Sequence, residues 1–242
     1  MLKQFTIIKF YSKQPLLFYL ALCIIYLLLG TPLSTISHFS FSLHMLQMSI
    51  LYFIVTPLLL TSIPESLFEK IIEIPMIKRT GQLLIAPRLA LYIFSILFLI
   101  YHLPLVLNFL TQSPFMKNGY LFILFILSFS IWWPIVSPNP FMRIYDEQKK
   151  RYLFLSGLML MPACIVFILS ALVVETHNPF LNQLAVQLCI PPDINSINLF
   201  PFPYSTKMDQ FIAAVLMLGI HKFSLFLFSR RGNNSHEKLL CN

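Results

Sequence analysis

Six apolar runs of close to twenty residues, separated by short charged segments, leave this chain few ways to fold. They lie at about residues 15–30, 41–63, 88–110, 119–137, 152–174 and 208–228. A helix of ~20 residues rises ~30 Å, the thickness of the hydrocarbon core of a bilayer. In that medium the backbone must satisfy its own hydrogen bonds, which leaves helices or closed barrels. The expected fold class is therefore all-α, a polytopic transmembrane helix bundle of about six spans forming a single integral membrane domain over 1–242. Composition agrees. The chain is 57% hydrophobic and 11% charged, against roughly 25% charged in a soluble domain.

The charge pattern orients the bundle. The net charge is +8, which in a soluble protein would suggest nucleic acid. Here the bases sit between apolar runs. Lys3, Lys9 and Lys13 precede the first run. Lys70, Lys78, Arg79 and Arg88 follow the second; Arg143, Lys149, Lys150 and Arg151 follow the fourth; Arg230, Arg231 and Lys238 follow the last. The alternate segments, 31–40, 111–118 and 175–207, hold none, Lys117 and Lys207. By the positive-inside rule both termini are cytoplasmic and these three segments face outward. The expected partner of the surface is the lipid bilayer, with no nucleic acid. The first run exceeds a signal-peptide core and no A-x-A site follows it, so it reads as a retained anchor.

Proline and amphipathic pattern mark the interruptions. Pro57 lies inside the second run and should leave the carbonyl of Phe53 without its helical donor. Pro104 should do the same to Ile100. Between Pro64 and Pro75, Leu67, Phe68, Ile71 and Ile72 alternate with Glu65, Glu69 and Glu73, the pattern of a short helix at a membrane surface.

Polar side chains inside a span point to function. His44 and Met48 are four residues apart and share a helix face. Imidazole with thioether is a donor set suited to copper, above all Cu(I). An interhelical hydrogen bond for His44 and plain packing for Met48 are the competing readings. His102 is equally open to a ligand or a structural role. Asp209 and Gln210 begin the last run, at the same side of the membrane by the topology above. His221 lies toward the opposite side and reads as a packing residue. Cys23 and Cys164, within apolar runs, read as small packing residues; no CxxC pair occurs. There is no GxGxxG, P-loop, GxSxG or HExxH, so no enzyme is expected.

Three blocks, together with a Trp-rich helix end, carry a family resemblance. His44-Met45-Leu46-Gln47 leads to Thr56-Pro57-Leu58-Leu59 and Ser62-Ile63-Pro64; Tyr101-His102-Leu103-Pro104 follows; Asp209-Gln210 opens the last run, and Trp132-Trp133-Pro134 ends the fourth. Over roughly residues 40–225 the chain resembles the polytopic CtaG family of bacterial cytochrome c oxidase assembly factors. The resemblance implies a multi-pass protein of the bacterial plasma membrane. It would have oxidase subunits as partners and would assist formation of the copper centres of a haem–copper oxidase. It also implies His44, Met48 and His102 as copper ligands, with Met48 standing where many members carry a second histidine. A small transporter and a purely structural interaction protein are the alternative classes.

Overall fold

The computed structural model describes residues 13–37, 40–75, 87–139, 142–144, 146–173 and 206–240. Among these residues there is no strand. In chain order the helices are α1 (Lys13–Leu29), α2 (Leu33–Ile36), α3 (Phe41–Ile50), α4 (Thr56–Ser62), α5 (Glu65–Ile72), α6 (Pro87–Tyr101), α7 (Pro104–Thr111), α8 (Pro114–Val136), α9 (Asp146–Val173) and α10 (Thr206–Leu240). A π-helical turn, Leu51–Val55, joins α3 to α4. Among the described residues, three helical stretches are long and apolar enough to cross a membrane: Phe41–Ser62, Pro114–Val136 and Lys207–Ser229. Gln14–Leu29 and Arg88–Tyr101 are shorter apolar helices. Most of the outward connection expected at 175–207 lies outside the described residues, as do Lys3, Lys9, Lys78 and Arg79.

The α3–π–α4 rod is the axis of the bundle. It is the most buried of the three long stretches. α10 packs along α3 and α9, α8 packs on α4 and α6, and α1 packs on α4 and the π-turn. Phe53, Phe94, Phe98, Tyr52, Tyr101 and Trp132 are fully buried between these helices. Their rings meet edge-on or stacked: Tyr52 lies 5.8 Å from Phe94, and Trp132 lies 5.7 Å from Phe228. Such contacts matter in a membrane bundle, because lipid tails are as apolar as the helices and association depends on packing and polar contacts. Large apolar side chains on the outer faces remain exposed, including Phe115, Phe122, Phe154 and Phe226. Cys164 is buried with its sulfur 3.7 Å from that of Met217, whereas Cys23 is exposed, because α1 turns only one face to the bundle.

Pro57 shapes the axis in an unexpected register. In an α-helix its missing N–H would orphan the carbonyl four residues back, Phe53. The π-turn shifts that pairing by one residue. Its missing N–H then falls opposite Tyr52, and that carbonyl accepts the Trp132 indole N–H at 2.9 Å. Thr56 Oγ donates to the Leu51 carbonyl at 3.2 Å and sits 2.8 Å from Ser128 Oγ. The Tyr52 hydroxyl donates to the Leu121 carbonyl at 3.2 Å. The irregular backbone is thus satisfied from α8, as a broken membrane helix requires.

Pro104 has a stronger effect. The run at 88–110 folds as two helices, α6 and α7, with Leu103 extended at ψ 131°. A residue before proline is driven out of the helical region, so the break falls there. The Ile100 carbonyl is not orphaned, because the Leu103 N–H reaches it at 3.1 Å.

At the other end of α8 the charged connection closes the bundle. α5 forms as its amphipathic pattern requires and ends before Pro75. Its Phe68 is buried with its ring 4.4 Å from Trp133. The Arg143 side chain donates to the Ser137 carbonyl at 2.8 Å. Burial draws the Arg143 guanidinium down from its ordinary range, and Glu65 on α5 acts in the opposite sense. Lys149, also buried, donates to the Ser229 carbonyl at 2.6 Å and ties the start of α9 to α10.

Candidate functional site

The first turn of α3 is held by a carboxylate from the other end of the sequence. Asp209 Oδ2 accepts the Phe41 N–H at 2.6 Å. Its Oδ1 accepts from Ser40 Oγ at 2.6 Å, Ser42 Oγ at 2.5 Å and Ser42 N–H at 3.1 Å. Ser40 is the N-cap of α3 and also accepts from the Leu43 N–H. These are the backbone donors that a helix start leaves without partners, and an anion there is favoured by the helix dipole. Asp209 therefore sets the position of His44, one turn further along. Gln210, beside it, is buried.

His44 and Met48 are both buried, on the helix face that their spacing implies, and Met45 is fully enclosed beside them. The His44 Nε2 lies 3.3 Å from the Tyr101 hydroxyl. Gln47 donates to the Leu28 carbonyl at 2.8 Å, linking α3 to the end of α1. His44, Gln47 and Met48 border a cavity of about 650 Å³ between α1, α3 and α8. α1 and α8 both pack on α4 and the π-turn, and the cavity lies between them beside α3.

His102 sits at the helix break. Its Nδ1 lies 2.6 Å from the Phe98 carbonyl. A carbonyl only accepts, so Nδ1 carries the proton and Nε2 presents its lone pair. The ring takes the place of a helical donor, because the His102 N–H turns instead to Leu99 at 3.1 Å. The same hydrogen bond is one that orients a ligating histidine in metal sites. His102 is not among the residues lining the cavity. Its ring and that of His44 both approach Tyr101, at 4.9 and 6.0 Å between centroids.

Among the described residues, no group of three or more His, Cys, Asp or Glu side chains converges as a metal site would require. What the fold does bring together is an imidazole and a thioether, His44 and Met48, with Tyr101 against the imidazole. Sequence reasoning did not single out Tyr101; its place next to His102 in an aromatic-His-x-Pro block is the signal that marks it. Lys117 and Asn118, which also line the cavity, read in the sequence only as part of a loop.

Comparison with known proteins adds one finding. A family model for the cytochrome c oxidase caa3 assembly factors matches residues 8–229. The chain belongs to that family. Neither a comparison with curated proteins nor one with solved structures gives a match. The caa3 assembly factor match spans nearly the whole chain and includes the α3 start, the His102 break and the Asp209 cap, so these features lie within the family's own segment. Membership indicates work on an oxidase under construction, and thus contact with oxidase components.

Proposed function

We propose that this caa3 assembly factor holds copper in transit to a haem–copper cytochrome c oxidase, with His44 and Met48 as donors. Copper is cargo in this reading. One observation carries it: the two side chains lie one turn apart, buried together at the wall of a cavity near the start of α3. The thioether is soft and imidazole binds copper readily, a set that suits Cu(I) and disfavours hard oxygen-seeking ions. The donor chemistry therefore fits the ion. His102, whose ring packs against Tyr101 and whose Nδ1 is held by the Phe98 carbonyl, is the third donor proposed; it does not line the cavity and would have to move to join the pair.

The proposed setting is the bacterial plasma membrane, with about six spans and both termini cytoplasmic. The start of α3, the cavity mouth and Asp209 then face outward. At 1.5 Å per residue Met48 lies ~10 Å below that surface, within reach of copper arriving from outside. Oxidase subunits are the proposed partners, met through the exposed apolar faces of α7 and α8.

The test is genetic and chemical together. Deletion of the gene should lower caa3 oxidase activity and the copper in the isolated oxidase. Complementation with His44→Ala or Met48→Ala should restore the oxidase protein without its full copper content. Unchanged oxidase in the deletion strain would sink the assembly role. Full copper in both complemented strains would leave an assembly factor that docks subunits and handles no metal. A reporter fused after residue 190 should appear outside; a cytoplasmic signal would reverse the orientation.

A further inference from the structure

Lys222 is a cation well inside an apolar span. It lies in the stretch Lys207–Ser229, seven residues before its end, which places it ~10 Å in from Ser229. The Lys149 ammonium donates to the Ser229 carbonyl and fixes the level at which α9 begins beside α10. Gly157, eight residues into α9 from Lys149, is therefore about level with Lys222. The two meet. A Cβ on Gly157 would run into Lys222 Nζ and would lie 3.2 Å from its Cε. The lysine thus extends sideways across a glycine notch, at its own depth, instead of reaching along the helix toward the charged start of α9.

The surroundings offer this ammonium no acid. Among the described residues Lys222 has no hydrogen bond and no ion pair. The three long apolar stretches contain one carboxylate, Asp209, which is committed to the start of α3 and lies thirteen residues, ~20 Å, away along α10. Lys222 is exposed, as are its neighbours Phe223 on α10 and Phe154 and Leu158 on α9. Large apolar side chains of this kind on a span face hydrocarbon, where a bare ammonium is costly. One turn before Lys222, a Cβ on Gly219 would meet no atom within 4 Å. The α10 backbone is open there to close approach, as glycine permits between membrane helices.

We propose that the α9–α10 face around Lys222 docks a membrane-spanning helix of another protein, one that carries a single Asp or Glu about two turns inside the same surface. That carboxylate would accept from Lys222 over the Gly157 notch, and the partner backbone would pass close to Gly219. Charge complementarity selects the occupant. A second copy of this chain brings another Lys222 and no acid at that depth. A lipid phosphate sits at the headgroup level, so Nζ would have to leave Gly157 to reach it. This face is separate from α7 and α8, and the assignment does not depend on copper.

Purified full-length protein in lipid nanodiscs tests it by resonance energy transfer to designed Leu–Ala transmembrane peptides. The peptides carry one Glu, one Gln or one Lys two turns from one end. The Glu peptide should bind about tenfold more tightly than the Gln peptide, the size of effect of one charge-assisted contact between helices. Lys222→Met should abolish that preference and leave the weak common binding. Lys222→Glu should reverse it, favouring the Lys peptide over the Glu peptide. If Lys222→Glu does not fold, Lys222→Met decides alone. Equal binding of the Glu and Gln peptides by the wild type, or a preference that survives Lys222→Met, would overturn the proposal. Native mass spectrometry supplies the lipid arm: a preference for phosphatidylglycerol over phosphatidylcholine that Lys222→Met removes, with no discrimination between the peptides, would overturn it in favour of a headgroup site.

Discussion

The Trp132 indole N–H hydrogen-bonds the backbone carbonyl of Tyr52 at 2.9 Å, from α8 to the π-turn of the central rod. This carbonyl needs an outside donor because, in the π register, its helical partner would be Pro57. Proline, π-turn and tryptophan are thus one device.

Trp132→Phe should expose its importance. The variant keeps most of the ring but leaves the Tyr52 carbonyl without its donor in a buried position, at a cost of about 1–3 kcal/mol. Pro57→Ala alone returns an N–H to the backbone. In the double variant that N–H can serve the Tyr52 carbonyl, so the loss should be smaller than the sum of the two single losses. Unfolding in mixed micelles would measure the cycle. Strict additivity would show that the two residues act separately.

Asp209→Asn should weaken the bundle more than Ser40→Ala. The aspartate accepts from two backbone N–H groups and two hydroxyls across 160 or more residues of sequence. Serine removal takes away one hydroxyl and one weak cap bond of 3.4 Å. Charge-assisted bonds to a helix start suggest a loss of about 2 kcal/mol for the asparagine and about half that for the alanine. Thermal stability of the purified protein checks the order; equal losses would mean the charge contributes nothing.

His102 separates structure from ligation. His102→Asn retains a donor able to reach the Phe98 carbonyl, whereas His102→Ala does not. The asparagine variant should keep more stability than the alanine variant, by about 1 kcal/mol. If His102 also ligates copper, both variants should lose Cu(I) affinity alike. Unfolding curves read the first effect and a competitive Cu(I) titration the second.

His221 should tolerate replacement. It is fully buried with its ring 4.8 Å from Phe53, and neither ring nitrogen has a hydrogen-bond partner among the described residues. Burying a polar ring without partners is unfavourable, so His221→Phe should be neutral or raise stability by up to about 1 kcal/mol. A large loss of stability would show that the imidazole is engaged in the folded protein.

Much of the local structure was legible in the sequence. The apolar runs named the helices of the rod, α8 and α10. The glutamate and leucine alternation named α5. The i, i+4 spacing put His44 and Met48 on one face, and Pro104 marked an interruption, although the orphan carbonyl expected at Ile100 is satisfied by the Leu103 N–H. Each of these depends on neighbours within a turn or two, where helix geometry turns spacing directly into position. The expectation for Pro57 failed by one residue for a nonlocal reason. Helix rules point to Phe53, but Trp132 supplies its donor to Tyr52, and the rod winds in the π register where that donor arrives.

The site was less legible. The sequence grouped His44, Met48, His102 and Asp209 by depth, which orders residues along the bundle axis but says nothing of their angle around it. The tertiary structure decided that angle. Asp209 turned out to fasten the start of α3, His102 to finish α6 at the Phe98 carbonyl, and His44 and Met48 to border a cavity with Lys117 and Asn118. Those outcomes depend on which helices pack together and where they part. Hydrophobic periodicity cannot encode that choice when nearly every face of every helix is apolar; close packing and a few interhelical hydrogen bonds make it.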